Sequence, residues 1–110
     1  MGGPVKGDVV VVLFPFSDLS NAKKRPALVV AAPGGDDIIL CQITSRLVTD
    51  NYAIPVTEKN FSSGSLRTES NVRPTRIFTA DKRIVQYIAG HLNEDTMGKV
   101  IDRVTAIFRA

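Results

Sequence analysis

The chain has 110 residues, of which 44% are hydrophobic and 23% are charged, and its formal net charge is +3 at pH 7. This length and composition predict one globular domain over residues 1–110, with residues 1–6 as a leader, and exclude a disordered chain. The single cysteine, Cys41, excludes an internal disulfide and favours the reducing cytoplasm. With His91 as the single histidine, a Cys/His zinc site is close to excluded, and we expect no cofactor. We also expect no membrane partner, because no apolar run approaches the roughly 20 residues of a membrane span, and we expect that the first residues are not a signal peptide.

The first half of the chain predicts three short strands. Residues 9–14 form a continuous apolar, β-branched run closed by Pro15, which is typical of a strand buried on both faces. A second run, residues 27–31, is stopped by the turn signal at residues 33–36, and a third, residues 38–43, follows at once. The second and third strands are therefore predicted to pair as an antiparallel hairpin.

The next part has weaker patterns. Residues 52–56 predict a strand at a sheet edge, because Pro55 cannot donate a backbone hydrogen bond. Residues 60–65 are predicted to be loop. Residues 70–73 and 76–79 predict two short strands broken at Pro74, and residues 84–88 are ambiguous between a strand and one helical turn, with the strand favoured.

The C-terminal part predicts an amphipathic helix over residues 94–108. Asn93 is a suitable N-cap, and the first turn carries Glu94 and Asp95, where the helix dipole favours acids. One apolar stripe follows at three- and four-residue spacing: Met97, Val100, Ile101, Val104, Ile107 and Phe108. Many short strands with one closing helix predict a mainly β (α+β) fold, a small bent sheet or barrel with the helix packed on it.

The charge excess is confined to the middle of the chain. Residues 1–40 and 84–110 are each balanced, whereas residues 41–83 hold seven basic and four acidic residues. Such a segment favours an anionic partner, although a scattered surface excess is the commoner explanation of +3.

A polar, basic loop joins the first two predicted strands and is the most unusual segment. Loops on rigid scaffolds often carry function, although a solubilising connector remains the simpler interpretation. Pro26 biases Arg25 toward an extended backbone, which places Arg25 at the start of the second strand. A guanidinium held there is well shaped to bind a phosphate through two parallel hydrogen bonds.

Several motifs together resemble the MazF/PemK toxins. They stand in the family's order between Gly7 and Ile107, and they are Gly7-Asp8-Val9-Val10, Lys24-Arg25-Pro26-Ala27-Leu28-Val29-Val30, Gln42-Ile43-Thr44-Ser45, Ile88-Ala89-Gly90-His91-Leu92 and Met97-Gly98-Lys99-Val100. The resemblance implies a small SH3-like barrel of the MazF/Kid/CcdB type with a C-terminal amphipathic helix, working as a homodimer. It also implies a metal-independent endoribonuclease that cleaves single-stranded RNA at short sequences. A cognate antitoxin with an acidic C-terminal segment is the partner that would neutralise it.

The resemblance assigns the catalytic roles to Arg25 and Thr44. RNA supplies its own nucleophile, the 2′-hydroxyl, so such a protein must chiefly stabilise charge on the phosphoryl oxygens. We expect the RNA to be bound by a wider set of residues: Phe16, Ser17, Asn21, Lys23, Lys24, Ser45, Arg73 and Arg76. Phe16 and Tyr52 are candidates for base stacking, whereas Phe14, Phe78 and Phe108 are expected in the core. His91 and Cys41 are expected to be structural.

One departure from the family keeps two alternatives open. Many MazF proteins have an acidic residue and a glutamine before the late-strand arginine, and residues 75–81 here lack that pair. The Kid-like branch has an Arg-x-Asp pair, of which Arg73-Pro74-Thr75 keeps the arginine and loses the aspartate. A CcdB-like toxin that poisons DNA gyrase without nuclease activity, or a degenerate member that only binds antitoxin, therefore remains an alternative.

Overall fold

The computed structural model describes residues 3–14 and 23–110. This part of the chain contains seven strands, two short 3-10 helices and one α-helix. In chain order the elements are β1 (Asp8–Phe14), β2 (Lys23–Gly34), β3 (Asp37–Thr44), β4 (Ile54–Val56), a 3-10 helix (Glu58–Asn60), β5 (Phe61–Gly64), β6 (Ser70–Asp81), a 3-10 helix (Lys82–Ile84), β7 (Val85–Leu92) and α1 (Glu94–Arg109).

The strands form one curled sheet in the order β4-β6-β3-β2-β1-β7-β5, and every pairing is antiparallel. The first three strands and the β2–β3 hairpin are as predicted, and the hairpin turns at Gly34 and Gly35, both with positive φ. β1 is buried from Asp8 to Val12, as expected for a strand covered on both faces. β4 lies at an edge of the sheet, which Pro55 predicted.

The prediction of a loop over residues 60–65 is wrong, because β5 occupies most of that segment. Its sequence, Phe-Ser-Ser-Gly, has little strand propensity of its own. The strand exists through its pairing with β7, in which Phe61 lies opposite Leu92. The Ser62 hydroxyl adds a hydrogen bond to the backbone oxygen of His91 at 3.1 Å.

The prediction of two strands broken at Pro74 is also wrong, because β6 is continuous through that residue. Cys41 of β3 pairs with Ile77 and Gln42 pairs with Arg73, so residues 74–76 form a bulge in β6. A bulge accommodates the missing N–H of proline without ending the strand. Residues 84–88 begin in the second 3-10 helix, and from Val85 onward they are the favoured strand, which continues to Leu92.

Two apolar clusters lie on opposite faces of the sheet. The first packs α1 onto the sheet and includes Met97 and Val100 of the helix with Leu28, Cys41, Val72 and Leu92. The second lies on the other face and consists of Val10, Val12, Ala27, Val29, Ile38 and Leu40. Burying one aliphatic side chain of this size stabilises the folded state by about 1.5–3 kcal/mol relative to leaving it exposed, so the clusters on both faces stabilise the curled sheet.

The helix begins at the predicted N-cap, where Asn93 Oδ1 accepts a hydrogen bond from the backbone N–H of Thr96 at 2.8 Å. Met97 and Val100 are buried, and Ile101, Val104 and Ile107 are partly buried. Phe108 is 71% exposed, so the prediction that it fills the core is wrong. Burial falls along α1, with the buried residues in its first half and mostly exposed residues in its last turn. No helix in the described ranges is long and apolar enough to cross a membrane.

Candidate active site

Arg25, Thr44 and Arg73 share one face of the sheet because β3 lies between β2 and β6. Ala27 pairs with Gln42, and extending that register by two residues places Arg25 opposite Thr44. On the other side of β3, Gln42 pairs with Arg73. Since alternate strand residues point to opposite faces, these side chains lie on the face opposite to buried Ile43.

Two adjoining cavities open on this face. One, of about 180 Å³, is lined by Phe14, Arg25, Pro26, Gln42, Ile43, Thr44, Arg46 and Arg73. The other, of about 190 Å³, is lined by Arg25, Pro26, Ile43, Thr44, Ser45, Leu66, Arg67, Thr68 and Ser70. Arg25 and Thr44 line both cavities and therefore lie at their junction.

The first cavity is lined by several basic residues and one aromatic residue. Arg25, Arg46 and Arg73 bring three guanidinium groups to it. Phe14 also lines the cavity and stacks on Phe78 with a ring-centroid distance of 5.0 Å, and Phe78 packs against the second apolar cluster. Such a cavity suits an anionic ligand that also has flat apolar surfaces.

The Thr44 hydroxyl is positioned by the chain that follows it. Its oxygen accepts a hydrogen bond from the backbone N–H of Arg46 at 3.1 Å. Because this contact uses the oxygen as an acceptor, the hydroxyl hydrogen can be donated to a ligand.

Asp50 provides negative charge beside the arginines. Its Oδ2 lies 3.8 Å from Nη2 of Arg73. The pKa of Asp50 is lowered by the hydrogen bond from the Thr75 hydroxyl, then by the Tyr52 N–H, and also by the charges of Arg73 and Arg76. The carboxyl group is therefore ionised at neutral pH.

The predicted binding residues are only partly brought together. Ser45 and Arg73 line the cavities with Arg25 and Thr44. Lys23, Lys24 and Arg76 are exposed and line neither of the two cavities. Phe16, Ser17 and Asn21 lie outside the described residues.

Arg46 and Arg67 line the cavities but were not predicted. Arg46 follows Thr44 by two residues, and residues at this spacing in an extended chain point to the same face, so the sequence could have indicated that Arg46 lies beside Thr44. Arg67 lies between β5 and β6, and it reaches the cavity through the curl of the sheet, which no local pattern reveals.

His91 lies away from both cavities, where β1 pairs with β7. Its Nδ1 is 2.8 Å from Oδ1 of Asp8, and a Cβ on Gly7 would lie 2.7 Å from its Cε1. His91 therefore packs tightly against the start of β1. Among the described residues, no three His, Cys, Asp or Glu side chains are grouped so that they could hold a metal ion.

The chain resembles known toxins in sequence pattern and in structure. A family model described as PemK-like, MazF-like toxin of type II toxin–antitoxin system matches residues 5–108. No curated protein matches the sequence.

Among solved structures, MazF from Deinococcus radiodurans is similar at 17% identity, with 100% of both chains covered and a TM-score of 0.78. An endoribonuclease from a mycobacterial species is 18% identical, with 99% of this chain and 94% of that chain covered and a TM-score of 0.74. A mycobacterial endoribonuclease in complex with its cognate antitoxin is 17% identical, with 96% and 95% covered and a TM-score of 0.75. The predicted mainly β fold of the MazF type, with one C-terminal helix, is thereby confirmed.

Proposed function

The chain belongs to the PemK-like, MazF-like toxins of type II toxin–antitoxin systems, and on that premise we propose that it is a metal-independent endoribonuclease acting on single-stranded RNA. The observation that carries the proposal is the position of Arg25 and Thr44 at the junction of two cavities, with further arginines around them. These are the residue types that charge stabilisation at a phosphoryl group requires.

In the proposed reaction the RNA supplies the nucleophile. Its 2′-hydroxyl oxygen attacks the adjacent phosphorus while the bond to the 5′-oxygen breaks, which yields a 2′,3′-cyclic phosphate and a 5′-hydroxyl. The Arg25 guanidinium stabilises the charge that develops on the non-bridging oxygens. Because arginine side chains in general are poor proton donors and acceptors, we assign both proton transfers to water.

Thr44 completes the proposed oxyanion site. Its oxygen accepts the Arg46 N–H, and we propose that its hydroxyl hydrogen is donated to a phosphoryl oxygen. Ser45, which follows it and lines one of the cavities, supplies a second donor.

The RNA on either side of the scissile phosphate would contact the remaining basic residues. Arg46, Arg67 and Arg73 line the cavities and suit phosphate contacts. We propose that further residues extend this path, namely the exposed Lys23, Lys24 and Arg76, together with Phe16, Ser17 and Asn21, which lie outside the described residues.

The proposed partners are a second copy of the chain and an antitoxin. A cavity with three arginines attracts the acidic C-terminal segment of an antitoxin as well as RNA, so one occupant excludes the other. MazE–MazF from Deinococcus radiodurans and the mycobacterial toxin with its antitoxin are solved complexes of similar proteins, and they support this pairing. The proposed compartment is the cytoplasm, where both RNA and antitoxin are made.

The test is incubation of the purified protein with a long single-stranded RNA in EDTA, followed by mapping of the 5′ ends. We expect cuts at one short sequence, and none where the scissile nucleotide is 2′-deoxy. Arg25→Ala and Thr44→Ala should each lower the rate about 100-fold or more, which is the usual effect of removing an oxyanion donor.

Matched controls are Arg109→Ala and Thr105→Ala, which remove the same groups from exposed positions of α1. They should cleave at the wild-type rate. Absence of cleavage by the wild-type protein, or wild-type rates in folded Arg25→Ala, would refute the proposal. Inhibition of DNA gyrase without RNA cleavage would support the CcdB-like alternative.

A further inference from the structure

The carboxylate of Asp50 is almost fully engaged by its neighbours. Asp50 lies between β3 and β4, and its side chain is 14% exposed. Oδ1 accepts the backbone N–H of Tyr52 at 2.8 Å, and Oδ2 accepts the Thr75 hydroxyl at 2.7 Å. The same Oδ2 faces Nη2 of Arg73 at 3.8 Å.

The bulge in β6 brings two of these partners together. Arg73 is the last residue in register before the bulge, and Thr75 lies within it. A regular strand would direct Arg73 and Thr75 to the same face at a fixed spacing. In β6 the Thr75 hydroxyl within the bulge and the Arg73 guanidinium just before it both contact Oδ2 of Asp50, and Arg73 also lines the cavity.

The state of Asp50 suits an anchor and not a proton acceptor. Its pKa is lowered, first by the Thr75 hydroxyl, so the group accepts a proton poorly at neutral pH. Its oxygens are also occupied, which leaves little room for a contact with RNA. Arg73, by contrast, is 24% exposed, and its Nε is buried without a hydrogen-bond partner among the described residues.

We propose that Asp50 is a positioning residue, which holds the Arg73 guanidinium in the cavity that Arg25 and Thr44 line. This inference rests on the proposed function, because the held guanidinium is to bind the phosphate backbone of RNA. Arginine has four rotatable side-chain bonds, and a fixed anion restricts them before the substrate arrives.

A simple charge argument predicts the opposite effect of removing Asp50. Neutralising the carboxylate removes one negative charge beside the cavity, and this alone would strengthen the binding of a polyanion. If Asp50 positions Arg73, neutralisation weakens catalysis despite the removed negative charge. The sign of the change therefore separates the two roles.

The test is a double-mutant cycle with Asp50→Asn and Arg73→Ala, measured as kcat and KM on a short oligoribonucleotide that contains the cleavage sequence. We expect Asp50→Asn to lower kcat/KM about tenfold, and to change it less than about twofold when Arg73 is already alanine. Thr75→Val, which removes only the hydroxyl, should show a smaller loss in the same direction. Asp36→Asn, which neutralises a carboxylate in the exposed β2–β3 turn, should leave kcat/KM unchanged.

A second measurement does not depend on cleavage. The ¹⁵N–¹H signal of the Arg73 Nε group, identified by its loss in Arg73→Lys, reports the order of the guanidinium. We expect a rigid signal in the wild-type protein and a mobile one in Asp50→Asn, with thermal unfolding of the variants showing that each is folded.

The outcomes are distinct. Absence of RNA cleavage by the wild-type protein would overturn the proposed function, and the NMR comparison would still decide whether Asp50 holds Arg73. Equal order of Arg73 with and without Asp50, a gain in kcat/KM for Asp50→Asn, or an equal loss in the Arg73→Ala background would each overturn the positioning role.

Discussion

Gly90 and Gly98 allow two alanine substitutions for which the structure predicts opposite changes in the free energy of unfolding. Gly90 lies in β7, buried against β5. A Cβ there would lie 2.6 Å from the backbone oxygen of Ser63 and 2.8 Å from Cδ2 of Phe61. Both distances are shorter than real Cβ contacts, and the oxygen belongs to the backbone of the neighbouring strand, which cannot turn aside as a side chain can.

Gly90→Ala must therefore push β5 away from β7 and disturb the Phe61 ring, which packs on the first apolar cluster. Overpacking of this kind costs about 1–3 kcal/mol. Gly98 lies on the exposed side of α1, where a Cβ would meet nothing within 4 Å. Replacing a helical glycine by alanine there should stabilise the protein by about 0.5–1 kcal/mol, because less backbone freedom is lost on folding.

The assay is urea unfolding of the wild-type protein and both variants, supported by thermal melts. The two variants should differ by about 1.5–4 kcal/mol, the sum of the two effects. At roughly 4 °C per kcal/mol for a domain of this size, the melting temperatures should differ by at least about 6 °C. A Gly90→Ala variant as stable as the wild-type protein would contradict the close approach of β5 to β7, and a destabilised Gly98→Ala would contradict the open helix face.

Two further predictions follow from titratable groups. Burial raises the pKa of the Cys41 thiol to about 11, so iodoacetamide should leave native protein unmodified at pH 8 and label unfolded protein fully, as read by mass spectrometry. Labelling of the native protein at the unfolded rate would count against the buried position. The hydrogen bonds from Arg83 lower the pKa of Asp81 to about 2, which a carbon-13 NMR titration should show, with a higher value in Arg83→Ala. The pKa of Asp81 in the folded protein lies below its unfolded value of about 4, so this pair stabilises the folded protein above pH 4. The stabilisation is lost as the pH falls from 4 to 2. An unchanged Asp81 pKa in Arg83→Ala would show that Arg83 does not lower it.

Strong local patterns made much of the fold predictable. The apolar runs of β1, β2 and β3 and the Pro33-Gly34-Gly35 turn determine the central strands and the hairpin. The periodicity of α1 and the Asn93 cap determine the helix, because both signals are local.

Long-range contacts account for what the sequence did not predict. β5 has little strand propensity and forms because it pairs with β7. The two strands are distant in sequence, since the contacting residues Ser62 and His91 are 29 residues apart. The continuation of β6 through Pro74 depends on a bulge opposite β3. Thr75 stands where the Kid-like motif has an aspartate. The carboxylate beside Arg73 belongs instead to Asp50, which is distant in sequence and therefore lies outside any motif over residues 73–75.

The central strand β3 determines which charges meet in the cavity. Its neighbours bring Arg25 from the charge-balanced first 40 residues and Arg73 from the segment with the charge excess. A slip of either pairing by one residue would turn one arginine to the opposite face. Such a slip would also move Cys41 and Ile43 out of the first cluster and Leu40 out of the second, and close-packed clusters tolerate such an exchange of side-chain volumes poorly. Packing of uncharged side chains on both sides of the sheet, and not the net charge of any segment, therefore brings Arg25 and Arg73 to the same cavity.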